Sequence, residues 1–137
     1  MVKHGGSTER GASAVELAIV LPVLLLVLGG IIDFGRAFAA QLGVTQGATA
    51  GARMVALNYS TGDVSSRVSA AALGFPVTTT VLASCPAKGT PISTQASSVR
   101  VDHVFSFLII DGVINLFGAG LAPTLTLSST GSMRCTG

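Results

Sequence analysis

RGASAVELAIVLPVLLLVLGGIIDFGR, residues 10–36, is the stretch whose reading decides the fold. From Ala12 to Ile32 it is an apolar run with a single acid, Glu16. About 20 residues of helix cross the hydrocarbon core of a bilayer, and this run has that length. Two residues do not suit a plain anchor. Glu16 lies about one turn into the run, where a carboxylate costs about 3 kcal/mol unless it is paired, neutralised or near the interface. Pro22 removes one helical hydrogen bond and predicts a loosened or kinked turn.

Upstream, Met1–Gly11 reads as a short polar leader with basic residues at Lys3 and Arg10. Basic residues flanking a membrane segment favour the cytoplasmic side. The expectation is a single-pass protein with its N-terminus in the cytoplasm, a transmembrane segment over 12–35, and everything later outside. Downstream, no proline occurs from Val23 to Phe75, so the helix is free to continue. Asp33 and Arg36 are three apart and suited to pair on one face. Small residues recur at Gly35, Ala39, Gly43, Gly47 and Gly51, and bulkier Phe34, Phe38, Leu42 and Val55 form another stripe. This predicts one helix from Ala12 to Asn58, about 70 Å long, with residues 36–58 projecting beyond the membrane. Glycines inside a helix cost about 1 kcal/mol each against alanine. Close approach of a partner helix at this small-residue row would offset that; a flexible stalk is the other reading.

Residues 59–137 predict a small external domain. Asn58 to Gly62 breaks the helix. Asp63–Leu73 reads as a short second helix with Thr61 as its N-cap. From Val77 the period becomes two. Val77, Val81, Ala83 and Cys85 form one apolar face; Val99, Val101, His103, Phe105 and Phe107 a second; Leu125, Leu127, Met133 and Cys135 a third. Three such strands predict a small antiparallel sheet packed on a helix. The fold class is therefore α+β. Leu108–Pro123 is apolar but interrupted, and reads as a loop or short helix touching the membrane surface or a partner. Cys85 and Cys135 would form a structural disulfide if this side is extracytoplasmic, worth about 3–4 kcal/mol; two buried thiols are the alternative.

The composition argues against several functions. A net charge of +2 with scattered basic residues gives no track for a nucleic acid, and with no tryptophan and one tyrosine there is no stacking platform. Two cysteines and two distant histidines make a poor zinc set. Asp33, Asp63, Asp102 and Asp111 form no recognisable motif, and His103 reads as a packed core histidine. No nucleophile–base pair and no phosphate-cradling loop is present. Catalytic, cofactor and small-molecule sites are therefore not expected.

Gly11-Ala12-Ser13-Ala14-Val15-Glu16-Leu17, placed at the start of the apolar run, resembles the processing site of type IV prepilins. A cut after Gly11 leaves the Ala12 amine at the inner edge of the bilayer, near the depth of Glu16. In a helical stack, one subunit's Glu16 pairs with a neighbour's Ala12 amine, which offsets the cost of both charges in lipid. The whole stretch resembles the TadE-like family, pseudopilins of tight-adherence (Flp-type) pilus systems. RGA, the acid of AVE, the proline of IVLP and the exit GIIDFGR carry the likeness, which is strongest over Arg10–Met54. VRVDHVFSFL and LTLSSTGSMRC resemble the family's later strands. Leu17 departs from the Phe or Tyr usual after the glutamate. The resemblance implies cleavage by a prepilin peptidase that recognises Glu16 and Leu17. It also implies pilin or pseudopilin subunits and a membrane assembly platform as partners, beside the lipid bilayer. Major Flp pilins are much shorter, so the added domain points to a minor or assembly subunit. An unrelated secreted or membrane-anchored binding domain is the alternative; Ala37-Phe38-Ala39 would then be a signal-peptidase site.

Overall fold

The computed structural model describes residues 7–86, 95–116, 118 and 124–135, with the side chains of 7–10 and 116 left aside. The first six leader residues and the end of the apolar Leu108–Pro123 segment fall outside this set. The elements run α1 (Ser7–Ala56), α2 (Thr61–Ala71), β1 (Thr78–Ala83), β2 (Ala96–Ser106), α3 (Ile109–Leu116) and β3 (Thr124–Arg134). The architecture is α+β, with one long helix, short helices and a three-stranded antiparallel sheet in the order β1-β2-β3.

Helix α1 has 50 residues and is about 75 Å long. It begins at Ser7, before the expected Ala12, because a lone glycine such as Gly11 costs only about 1 kcal/mol in a helix. It also continues through Pro22 as a single element. There the missing N–H leaves the Ala18 carbonyl without its helical donor. The far end closes with a sharp cap. Tyr59 N donates to Met54 O, and Asn58 N donates to Val55 O, with Asn58 in the left-handed region at φ 60°. This is the Schellman arrangement, and asparagine tolerates that backbone better than most residues. Helix α2 is capped by Ser60 rather than Thr61. Ser60 has extended backbone, and its hydroxyl accepts from Asp63 N at 3.2 Å. Thr61 is one residue too late to reach that donor and is already helical.

In the sheet, β2 pairs with β1 on one side and β3 on the other. Val99 lies opposite both Val81 and Gly131, and Val101 opposite Ser129. Odd-numbered residues of β2 face α1 and are buried, while even-numbered ones point outward. Strand β2 starts at Ala96, earlier than its apolar alternation suggested. Its first inward residue is Ser97, fully buried, whose hydroxyl donates to Ala52 O at 2.9 Å with Met133 O 3.1 Å away. The β1 pattern also differs in one place. The register shifts between Val81 and Ala83, so Ala83 pairs with Ser98 on the outer face and is exposed. A bulge adds one residue to one strand and inverts the faces beyond it. On β3, Leu125 and Met133 stay largely exposed, because the helix covers the strand chiefly at Gly131.

The core is assembled from small and β-branched residues. Val44, Ala48, Ala52 and Val55 of α1 meet Val64 and Val68 of α2 and Val99 and Val101 of β2. Cys85 and Cys135 are joined in a disulfide that packs with Ala56 at one end of this core.

Candidate functional site along the long helix

The site expected from the sequence is distributed along α1, which the fold divides into three zones. The first is the N-terminal turn around Gly11, Ala12, Glu16 and Leu17. All four residues are exposed on the helix surface, and a Cβ at Gly11 would meet nothing within 4 Å. Ala12 and Glu16 are one turn apart, about 6 Å along the axis, and so share a face.

The second zone is the apolar shaft. Exposure reaches 62% at Val15, 68% at Ile19, 61% at Val23, 56% at Leu25 and 64% at Ile31. These side chains point in every direction around the helix. A helix apolar all round is stable only when something apolar surrounds it. Residues 11–56 form the one helix among the described residues that is long and apolar enough to cross a membrane.

The third zone begins at Asp33, and here the sequence reading missed the main event. Asp33 does approach Arg36, at 3.4 Å, as its spacing suggested. Its principal partners, however, are three backbone amides at the start of α3. Leu108 N donates to Oδ1 at 3.2 Å, and Ile109 N and Ile110 N donate to Oδ2 at 2.9 and 3.1 Å. The carboxylate is fully buried by these contacts. Helix α3 is preceded by Phe107 and Leu108, which have no side-chain acceptor, so its free N–H groups are capped from α1 instead. The absence of a capping residue before an apolar helical run was the one available signal. Helix α3 lies back along the shaft. A Cβ at Gly29 would overlap Ile109, and Leu26 and Gly30 line an apolar cleft with Ile109, Ile110, Val113 and Ile114.

The small-residue row belongs to this zone too. A Cβ at Gly43 would lie 2.7 Å from Ala72 O, and one at Gly51 2.7 Å from Val68 Cγ2 and 3.1 Å from Val99 Cγ1. At Gly47 it would lie 3.2 Å from Val68 Cγ1. These are close-approach positions, but the approaching surfaces are this chain's own α2 and β2. The helix that comes close on that part of the row is therefore α2 of the same chain. Ala39 is half-buried and Gly35 stays open. The bulky stripe also divides. Phe34, Phe38 and Leu42 are exposed at 76%, 67% and 45%, whereas Val55 is in the core at 6%. Steps of four residues drift about 40° around a helix, so the stripe turns into the domain before Val55.

His103 and the acids Asp63, Asp102 and Asp111 have structural partners. His103 Nδ1 donates to Pro76 O at 2.7 Å, and its ring lies 5.5 Å from that of Phe75. Asp63 completes the α2 cap, Asp102 pairs with Arg100 at 3.0 Å, and Asp111 accepts from Asn115. Among the described residues no group of three or more His, Cys, Asp or Glu is placed to hold a metal ion.

Comparison with known proteins gives a family match. Residues 11–53 fit the model of a family described as TadE-like protein. The matched stretch lies entirely within α1, from the glycine before Ala12 to the last turn of the core-packing half. It agrees with the resemblance carried by RGA, AVE and GIIDFGR. No curated protein and no solved structure matches the chain.

Proposed function

Starting from the TadE-like match over residues 11–53, we propose that this chain is a single-pass membrane pseudopilin that acts in assembling or initiating a tight-adherence pilus. The observation that carries the reading is the position of the match. It covers one continuous helix that offers Glu16 one turn past Ala12, an all-round apolar shaft, and an outer half fused to a disulfide-bonded domain. Such a helix is suited to positioning one subunit among others, and catalysis by the chain itself forms no part of the proposal. The leader, with Lys3 and Arg10, would stay in the cytoplasm, and residues 36 onward would lie outside. The disulfide supports that orientation, since such bonds persist in oxidising compartments. A prepilin peptidase would cut between Gly11 and Ala12, and Glu16 would then pair with the free Ala12 amine of an adjacent subunit.

The mature N-terminus tests this directly. Terminal sequencing of the protein recovered from membranes is expected to read Ala12. A start at Ala40 would indicate signal-peptidase release, and an intact Met1 would indicate a plain anchor. Glu16→Ala is expected to leave the membrane-inserted protein in place while its recovery with assembled pili falls at least about tenfold, the equivalent of about 1.4 kcal/mol. Unchanged recovery would rule out the amine–carboxylate pairing.

A further inference from the structure

We infer that the cleft between α1 and α3 is a seat for a phospholipid acyl chain of the outer leaflet. The inference rests on the membrane-crossing part of the proposed function and goes beyond it. The cleft has a volume of about 220 Å³ and is lined by Leu26, Gly30, Ile109, Ile110, Val113 and Ile114. None of these six carries a polar side chain. Water needs two or more polar partners to occupy a site, so this one is unsuited to it.

Depth identifies the occupant. Leu26 lies seven residues before Asp33, about 10 Å nearer the bilayer centre when α1 crosses. The cleft therefore opens at the level of the outer-leaflet chains and continues the lipid-facing surface of the shaft. Helix α3 is built for that boundary. Ile109, Ile110, Val113 and Ile114 share one face, toward the cleft, while Asp111 and Asn115 share the opposite one. Asn115 Nδ2 donates to Asp111 Oδ1 at 3.1 Å, so the two polar groups satisfy one another on the face away from the cleft. Asp33 closes the upper end by holding the three amides of 108–110. Those N–H groups would otherwise be unpaired where water is scarce.

The chain has no tryptophan, so an introduced one reports a single place. The full chain is reconstituted in phosphatidylcholine bilayers with bromine on the acyl chains, and tryptophan quenching is read for three variants. Val23→Trp lies on the shaft, Ile114→Trp in the cleft, and Leu82→Trp on the exposed bulge of β1. The expected result is comparable quenching at 23 and 114 and none at 82. Adding Gly30→Leu to Ile114→Trp fills the cleft, where a Cβ at Gly30 meets open space, and is expected to at least halve the quenching. Quenching at 23 without quenching at 114 would overturn the acyl seat and leave the membrane crossing standing. A blue-shifted but unquenched Ile114→Trp would mean that protein covers the cleft, which also overturns it. Quenching that ignores Gly30→Leu would place the reporter in bulk lipid and likewise refute the seat. Loss of quenching at both 23 and 114 would refute the crossing itself. Should Ile114→Trp fail to form the Cys85–Cys135 bond, Val113→Trp serves as the cleft reporter.

Discussion

At the scale of single residues, Asp33 is the most consequential side chain in the molecule. It joins parts of the chain 75 to 77 positions apart. Its ion pair with Arg36 is the lesser contribution, because that guanidinium is 46% exposed and an exposed pair stabilises little. Arg36 is held additionally over the Phe105 ring, 5.4 Å from its centroid. Asp33→Ala is therefore expected to release α3 and not the sheet. In hydrogen exchange, amides 108–116 should lose protection while those of 96–106 keep theirs. Equal loss in both would mean that α3 is part of the cooperative core. Sequence spacing found the local partner of Asp33 and missed the distant ones, because an i,i+3 pair is written in the order of residues and a cap supplied across the fold is not. The same distinction separates Ser97 from its valine neighbours. It faces inward by alternation, yet as a polar residue it left no hydropathic trace of the strand's true start.

At the scale of elements, the outer half of α1 and the sheet meet at a distance set by one glycine. A Cβ at Gly131 would overlap the Ala48 carbonyl, and Thr49 N lies only 2.9 Å away. Both obstacles are backbone atoms, so no rotamer change relieves them. Gly131→Ala is expected to push β3 off the helix and cost about 1–3 kcal/mol, read as a lower urea midpoint. Gly62→Ala, in the first turn of α2 with only Ser60 Oγ nearby at 3.9 Å, should be neutral or stabilising by up to about 1 kcal/mol. Equal loss in the two would sink the close-approach argument. The elements themselves were largely legible. Asn58 marked the end of α1, and the alternation Val99, Val101, His103, Phe105 marked the buried face of β2. What the sequence left open was which surface the glycines of α1 would meet. A row of small residues records that something comes close, and Gly43, Gly47 and Gly51 turned out to be approached by the chain's own Ala72, Val68 and Val99.

At the scale of the whole molecule, the protein joins an apolar shaft to a small valine-rich core. A core of mostly valine and alanine buries little area per residue, so the covalent bridge carries a large share of the domain's stability. Replacing both Cys85 and Cys135 by serine should lower unfolding stability by about 3–4 kcal/mol, measured by denaturant titration in detergent. A change under about 1 kcal/mol would mean that the core suffices alone.

The position of that bridge has a mechanical consequence. Residues 85 and 135 are 50 apart in sequence, and β2, α3 and β3 all lie between them. Tension applied at the C-terminal side of Cys135 passes through the sulfur atoms directly to Cys85 and from there to the segment leading back to α1. Strands β2 and β3 and the Asp33-held helix are shunted out of the load path. The domain would yield by peeling β1 and α2 from the shaft while the enclosed loop stays slack, which limits how far the chain lengthens under pull.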